Sequence, residues 1–261
     1  MSLTQQEINE LLGVKTYNLL DLRQKFRTFL IHGPVGVGKT SQARYLPQCL
    51  FYNIERGDAS LYGGDITAVD VRSWKKFGAV TKRVVDLQNE GKNPFLNIFI
   101  DSATELAKIH LRAMAAEDAK SNANLSPNQP MLSRYLDAMV DHDNMLMWFK
   151  DVQLNVIFTA ISEYEKDDLG KMLWLPKMPK SIRDSFFQYS DGIIYLDKDM
   201  EGNRYFLTQG TPNISAKLRN PLHMTPVPTK VYNPNVADII RYFQGDESVT
   251  FATAPTGEAK P

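Results

Sequence analysis

The feature that most constrains the fold of this chain is a glycine-rich run of eight residues near its N-terminus. Residues 33–40 are GPVGVGKT, which matches the phosphate-loop pattern of two glycines separated by four residues and followed by Lys and Ser or Thr. Residues 28–32 are rich in β-branched and aromatic side chains and predict a buried strand, and residues 41–46 predict a helix. The pattern requires this order of strand, turn and helix, so the run predicts a loop that binds phosphate.

The residue types in the loop suit the chemistry of a nucleoside triphosphate. Glycines let the backbone adopt positive φ and approach a ligand closely, so that successive amides at a helix N-terminus point at phosphate oxygens. We expect Lys39 to reach the β- and γ-phosphates and the Thr40 hydroxyl to bind Mg²⁺. The predicted nucleotide-binding residues of the loop are Gly33, Pro34, Val35, Gly36, Val37, Gly38, Lys39, Thr40 and Ser41.

Two later strands are predicted to end in acidic residues. Residues 95–100 form an apolar run that leads directly into Asp101, as in a Walker B segment, where a buried strand delivers one carboxylate that holds Mg²⁺. Asp101 therefore joins the predicted nucleotide-binding set and, with Thr40, the predicted metal ligands. Residues 48–55 predict a strand buried on both faces, and this strand ends in Glu55 at the edge where open α/β sheets bind ligands.

Length, charge and cysteine content narrow the class of protein. With 261 residues and 43% hydrophobic content, we predict a single domain over residues 1–245, with residues 1–27 as a helical lead-in and residues 246–261 as a flexible tail. The 30 basic residues balance the 30 acidic ones, so nucleic acid would have to bind at local patches. The single cysteine, Cys49, excludes an internal disulfide and a cysteine-rich zinc site. The sequence shows no signal peptide and no membrane-length apolar run, which predicts a cytoplasmic protein.

The rest of the pattern predicts an α/β fold with a mostly parallel central sheet flanked by helices. Apolar runs predict further strands at 154–160 and 190–196, and Gly202-Asn203 predicts the turn of a C-terminal β-hairpin between Tyr195 and Leu207. Amphipathic patterns of period 3.6 predict helices at 4–12, 70–88, 102–118, 130–150 and 234–243.

A basic segment follows the predicted strand 154–160. Residues 163–182 show no clear period and predict irregular structure. Cations interleaved with an aromatic ring suit a groove for single-stranded DNA, where cations meet phosphates and the ring stacks on bases. A proline-rich lid or a subunit contact would give the same pattern. The residues in question are Lys171, Trp174, Lys177, Lys180 and Arg183.

Taken together, the motifs resemble the RecA-like ATPases, and more narrowly the short phage-encoded RecA- and RadA-like proteins that work with single-strand annealing proteins and single-stranded-DNA-binding proteins. The resemblance implies a RecA-like fold, ATP and Mg²⁺ as cofactors, DNA-dependent ATP hydrolysis, and a role in recombination, annealing or repair inside a bacterial host. The matching segments span nearly the whole chain and are GPVGVGKT (33–40), LFYNIE (50–55), NIFIDSATEL (97–106), VIFTA (156–160) and AKLRN (216–220).

The resemblance also implies catalytic roles beside that of Lys39. Glu55 resembles the general base that orients and deprotonates the attacking water, with Glu105 as a rival that we expect to point away. Lys217 and Arg219 resemble a Lys-x-Arg pair that reaches the γ-phosphate on a neighbouring subunit. In that arrangement, ATP lies between copies of the chain in a ring or filament. A pair of surface cations would look the same.

One departure from the family leaves alternatives open. The family commonly has Gln or His at the end of the fourth strand, and this chain has Ala160-Ile161-Ser162 there. Thr159 or Ser162 is a candidate to sense the γ-phosphate instead. The alternative functions are an AAA+ or motor-type ATPase ring acting on protein partners or in DNA packaging, a small-molecule kinase, and a nucleotide switch that does not hydrolyse.

Overall fold

The computed structural model describes residues 4–14, 26–166, 169–220 and 224–255. Its strands are β1 Thr28–Gly33, β2 Cys49–Asn53, β3 Thr67–Asp70, β4 Asn97–Asp101, β5 Asn155–Lys166, β6 Met172–Pro176, β7 Gly192–Lys198, β8 Arg204–Leu207, β9 Lys217–Leu218 and β10 Lys230–Tyr232. Its helices are α1 Gln5–Leu12, α2 Trp74–Asn89, α3 Ala103–Ser121, α4 Arg134–Asp151, α5 Lys180–Tyr189 and α6 Val236–Phe243, and 3₁₀ helices span Thr40–Tyr45 and Asp58–Leu61.

The described strands form one sheet in the order β10-β8-β7-β1-β5-β4-β2-β3, with β6 paired to β5 and β9 to β7. The strands from β7 to β3 in this order are all parallel, which confirms the predicted α/β class. β7 and β8 form the predicted hairpin, in which Tyr195 pairs with Leu207. Because parallel strands end at the same edge, the loops after β1, β2 and β4 and the part of β5 that pairs with β6 all lie on one side of the sheet.

Alternation along the strands divides the interior into two layers. In β1, Leu30 packs into one core cluster, and Phe29 and Ile31 pack into the other, as a side-chain period of two requires. Helices α2 to α5 cover the first face. The 3₁₀ helix Thr40–Tyr45 and α6 cover the second face, where the side chain of Gln42 hydrogen-bonds to the Pro234 carbonyl and the Val236 amide at the start of α6.

The helix after the phosphate loop differs from the prediction. It is a 3₁₀ helix, and its last amide, that of Leu46, donates to the carbonyl of Ala43 three residues back. Pro47 explains the early end, because a proline pushes the preceding residue out of the helical region, and Leu46 is indeed extended.

The prediction of irregular structure over residues 163–182 is wrong. Strand β5 continues to Lys166, turns at residues that include Gly170, and returns as β6 in an antiparallel pairing of Tyr164 with Trp174. Helix α5 then begins at Lys180. The run shows no single sequence period because it contains the end of one strand, a second strand that ends at Pro176, and the start of a helix capped by Pro179. The strand β3 was also missed, because it is mostly exposed and lacks an apolar pattern.

Parts of two predicted segments lie outside the described residues. Of the lead-in 1–27, α1 is described, with the capping box of Thr4 and Glu7 at its start, and residues 1–3 and 15–25 are outside. Of the tail, residues 246–255 are described and Ala252 bridges to Tyr232, and residues 256–261 are outside. None of the helices in the described ranges has the length and apolarity needed to cross a membrane.

Candidate nucleotide-binding site

The conformation of the phosphate loop depends on one buried side chain and on two glycines with positive φ. Val37 is 5% exposed and packs into the second core cluster, whereas Val35 is exposed. Gly36 and Gly38 have φ of 79° and 102°, a region that glycine adopts freely and that costs other residues energy. The loop thus has the fixed, turned backbone that an anion-binding concavity requires.

Lys39 lies folded over the start of the loop. Its Nζ donates hydrogen bonds to the carbonyls of Gly33 at 2.9 Å and Pro34 at 2.7 Å. Burial lowers the pKa of Lys39, and nearby carboxylates, of which Asp101 acts most strongly, oppose that shift. In the described part of the chain no carboxylate lies within ion-pair distance of this ammonium, so a phosphate can make the charged contact that the protein does not.

Asp101 is held between two threonines at the end of β4. The hydroxyl of Thr40 donates to Oδ2 at 2.7 Å, and the hydroxyl of Thr159 donates to Oδ1. Thr40 and Asp101 therefore offer two hard oxygens side by side next to the loop, and Gly57 borders them without a side chain. Mg²⁺ takes one or two carboxylates plus phosphate oxygens and water, so this pair fits the predicted metal site, which would neutralise phosphate charge.

Glu55 lies beside Asp101. Its backbone amide donates to the Asp101 carbonyl at 3.1 Å, and its carboxylate accepts from the Ser102 hydroxyl. Desolvation raises the pKa of Glu55, the Ser102 hydrogen bond works against that rise, and the Asp101 charge adds to it. The structure therefore places the predicted base next to the predicted metal acid. Glu105, the rival, forms ion pairs with lysine and arginine on its own helix.

Lys217 and Arg219 do not reach the phosphate loop of their own chain. They lie at the other end of β7, where Leu218 pairs with Gly192. The Lys217 ammonium donates to the carbonyl of Phe187, and the Arg219 guanidinium donates to that of Gln188 at 2.6 Å. Both cations thus bind carbonyls at the C-terminal end of α5, a favourable position for positive charge.

In the basic segment that contains Trp174, two of the predicted DNA-contacting cations form ion pairs within the protein. Strand pairing brings acids of β5 against it, and Lys177 lies 3.5 Å from a carboxylate oxygen of Glu163. Arg183 is 7% exposed and forms an ion pair with Glu165, so its guanidinium is not accessible to DNA and the prediction that it contacts DNA is wrong. Trp174 remains on the hairpin beside Tyr164, with ring centroids 5.3 Å apart.

Sequence reasoning missed two residues of the site. His32, directly before the loop, is fully buried, and its ring nitrogens lie 2.9 Å from the Ser162 hydroxyl and 2.7 Å from the Ser215 carbonyl. Burial lowers the pKa of His32 to about 4, so the ring is neutral at pH 7. Ser102 begins the predicted helix 102–118 and caps α3 by accepting from the amide of Glu105, in a Ser-x-x-Glu pattern typical of a helix start. Its contact with Glu55 has no sequence signal.

The phosphate loop follows a central strand of the parallel part of the sheet, and its Thr40 donates a hydrogen bond to Asp101 at the end of β4. This fold and this site define the chain as a P-loop nucleoside triphosphatase.

A comparison with family models is more specific. Residues 25–220 match the model of a family described as an AAA domain. The match covers most of the chain, so the protein belongs to this family of P-loop ATPases. A search of curated proteins found no match. The narrower resemblance to phage RecA-like proteins stays a prediction.

Proposed function

We propose that this protein hydrolyses ATP with Mg²⁺ in response to single-stranded DNA and acts in recombination, annealing or repair. Its partners are then further copies of itself, single-stranded DNA, and annealing or single-stranded-DNA-binding proteins. The proposal combines the ATPase family with the resemblance of five segments to phage RecA-like proteins. Lys39, Glu55 and Asp101 supply the chemistry, and the hairpin of β5 and β6 supplies the DNA contact.

The observation that carries the proposal is the continuity of β5. This one strand contains Thr159, which hydrogen-bonds to the predicted magnesium acid, and five residues later Tyr164, which is 48% exposed on the hairpin. Aromatic rings beside cations bind single-stranded nucleic acid by stacking on its bases. A ligand on the hairpin therefore contacts the same strand whose Thr159 holds the predicted magnesium ligand, which is the connection that a DNA-dependent ATPase needs.

The hairpin offers both kinds of group that single-stranded DNA requires. Tyr164 and Trp174 form the aromatic pair, and Lys166, Lys171 and Lys177 are exposed beside it. The ion pair between Lys177 and Glu163 is solvent-accessible, and exposed pairs of this kind hold by about 1 kcal/mol or less. A phosphate can therefore take over the Lys177 contact at little cost.

The positions of Lys217 and Arg219 support a site shared between subunits. In their own chain they lie at the far end of β7 from the phosphate loop, so a role in hydrolysis needs a second copy. Ring- and filament-forming ATPases supply arginine fingers in this way, and each finger contributes on the order of 10³- to 10⁵-fold in rate. ATP would then be hydrolysed only in an assembly.

The test is ATP hydrolysis with and without single-stranded DNA. We expect DNA to stimulate the wild type, and Tyr164→Ala and Trp174→Ala to lose most of the stimulation and of the DNA binding. Tyr62→Ala is the matched control, because Tyr62 is an exposed tyrosine that follows the 3₁₀ helix Asp58–Leu61 and is not part of the hairpin. A mixture of the Arg219→Ala and Lys39→Ala variants should hydrolyse ATP although neither variant does so alone. In the mixture, some sites combine an intact Lys39 from one subunit with an intact Arg219 from the next.

The AAA-domain match also favours a second candidate, a ring ATPase that acts on protein partners. A wild-type rate unaffected by single-stranded DNA, together with no binding in a mobility assay, would remove the DNA-linked function and favour this candidate. Recovery of activity in the mixing experiment is expected for both, because both place ATP between subunits.

A further inference from the structure

Arg204 of β8 lies against the phosphate loop, although nothing in the sequence motifs marks it. A Cβ placed on Gly38 would be 3.1 Å from Nε of Arg204 and 3.6 Å from its guanidinium carbon. Gly38 directly precedes Lys39 in the loop. The arginine side chain therefore occupies the space immediately beside the residue whose backbone leads into the phosphate-binding lysine.

The sheet explains why this arginine points to the loop. Arg204 and Phe206 are two residues apart on β8, so their side chains share a face. Phe206 is fully buried in the second core cluster together with Val37 of the loop. The hairpin register pairs Arg204 with Lys198 of β7, which places Arg204 at the end of the strand where the loop lies.

The Nε of Arg204 lacks the acceptor that a buried donor ordinarily has. It has no hydrogen-bond partner among the described residues, and none of the ion pairs in the described ranges includes Arg204. A buried donor without an acceptor is costly. Arginine is the side chain best suited to phosphate, because its planar fork donates paired hydrogen bonds to phosphate oxygens.

We propose that Arg204 binds the phosphates of the nucleotide from within the same chain, at the α- and β-phosphates. Backbone amides of a phosphate loop hold these two phosphates, whereas the lysine reaches the β- and γ-phosphates, and Arg204 lies beside the amide-bearing part. The contact is present with both ATP and ADP. It therefore strengthens binding of the two nucleotides alike and leaves the rate of the bound complex unchanged.

This role differs from that proposed for Arg219. An arginine that acts on the γ-phosphate in trans stabilises charge formed during hydrolysis, so its loss lowers kcat. Loss of Arg204 should raise Kd for ADP and KM for ATP and leave kcat at saturating ATP within about threefold of the wild type. The inference uses the proposed hydrolysis only for this kinetic readout, since ADP binding requires none.

The experiment measures binding of ADP and of inorganic pyrophosphate to Arg204→Gln, with Lys230→Gln as matched control. Lys230 is a cation of the neighbouring strand β10 whose ammonium lies over the rings of Tyr205 and Tyr232, and Tyr205 points to the face of the sheet opposite that of Arg204. We expect Arg204→Gln to weaken both ligands about 10- to 100-fold, as the loss of charged hydrogen bonds implies, and Lys230→Gln to bind as the wild type does. Pyrophosphate lacks base and ribose, so an effect on it identifies the phosphates as the contact.

Wild-type affinity of Arg204→Gln for pyrophosphate would overturn the proposal, and so would a lower kcat with unchanged ADP affinity. If Arg204→Gln does not fold, the wild-type protein decides: the ¹⁵Nε–¹H resonance of Arg204, assigned by its absence in Arg204→Lys, should shift on addition of pyrophosphate. An unmoved resonance would also overturn it. If the wild-type protein binds ADP but its ATPase rate does not respond to DNA, the proposed DNA-linked function is wrong, whereas the proposal that Arg204 binds the phosphates is unaffected.

Discussion

The hydroxyl of Thr40 donates a 2.7 Å hydrogen bond to Oδ2 of Asp101, and this contact joins the phosphate loop to a strand 61 residues further along the chain. The other oxygen of the same carboxylate accepts from Thr159. A magnesium ion bound by Thr40 and Asp101 would replace the first contact, because the ion takes the oxygens that now face each other. The Thr159 contact would remain and fix the orientation of the carboxylate, as outer partners of metal ligands do.

The first prediction concerns Thr159. Thr159→Val keeps the shape of the side chain and removes the hydroxyl that orients Asp101, so we expect about a 10- to 100-fold loss in Mg²⁺ affinity or in Mg²⁺-dependent hydrolysis. Titration of the ATPase rate with Mg²⁺ measures it. Thr159→Ser is the control, because it keeps the hydroxyl and should stay close to the wild type. Equal Mg²⁺ dependence of the valine and serine variants would contradict the assigned role.

The second prediction concerns Glu55 as the base. Glu55→Gln should lower kcat by about 10²- to 10⁴-fold while ADP binding is retained, because the change leaves the phosphate loop intact. The measurement is single-turnover hydrolysis beside an ADP titration. Unimpaired hydrolysis by Glu55→Gln would show that another group deprotonates the water.

The third prediction follows from the Ser102 hydrogen bond, which lowers the pKa of Glu55. A base works only when it is deprotonated, so the rate falls as pH drops through its pKa. Ser102→Ala removes the lowering contact, and the acidic limb of the kcat profile should move to higher pH. Ser60→Ala serves as the control, because Ser60 is exposed and bonds only to a nearby carbonyl. An unmoved acidic limb in Ser102→Ala would contradict the contact.

The sequence predicts the parts of this site that come from local pattern. The phosphate loop, the strand ending in Asp101 and the strand leading to Glu55 each have a signature that lies within about ten residues, and the structure brings all three together at one edge of the sheet. Parallel strands end at the same edge of a sheet, so residues at the ends of separately predicted strands are expected to lie close together.

Features that depend on strand pairing were beyond sequence reasoning. Residues 171–183 contain no acid, yet pairing of β5 with β6 sets Glu163 and Glu165 against the cations of this segment. Arg204 reaches Gly38 only because two antiparallel strands carry it there. These contacts have no local sequence signature, because each joins segments that meet only through strand pairing, and the register of the strands is set by the fold.

The fourth prediction tests the close approach of β7 to the phosphate loop. A Cβ on Gly33 would clash with the backbone carbonyl of Leu196, and a backbone atom cannot rotate away. Gly33→Ala should therefore destabilise the protein by about 1–3 kcal/mol, the range of overpacked sites, and weaken ADP binding. Gly78→Ala is the control: it meets no atom within 4 Å in α2 and should stabilise by roughly 0.5–1 kcal/mol. Urea unfolding measures both.

The fifth prediction concerns two buried histidines packed between α2, α3 and α4. His110 contacts Asp141 through Nε2 at 3.0 Å and stacks on Trp74, and His142 contacts the carbonyl of Ala138 through Nδ1 at 2.7 Å. The second nitrogen of each ring is buried without a hydrogen-bond partner. Protonating either ring would leave a charged donor unpaired, and burial accordingly lowers the pKa of both from 6.5 to about 4.

The sign of the resulting pH dependence follows from proton uptake. Between pH 6.5 and about 4 the unfolded chain binds protons at these histidines and the folded chain does not, so stability is complete above pH 6.5 and falls with acidification, by up to roughly 3 kcal/mol for each ring. His110→Phe keeps the stacking on Trp74 and removes one titrating group. Its urea midpoint should therefore fall less between pH 7.5 and pH 5 than that of the wild type. If the urea midpoints of the two proteins fall equally between pH 7.5 and pH 5, His110 takes up no proton on unfolding in this range and the prediction is wrong.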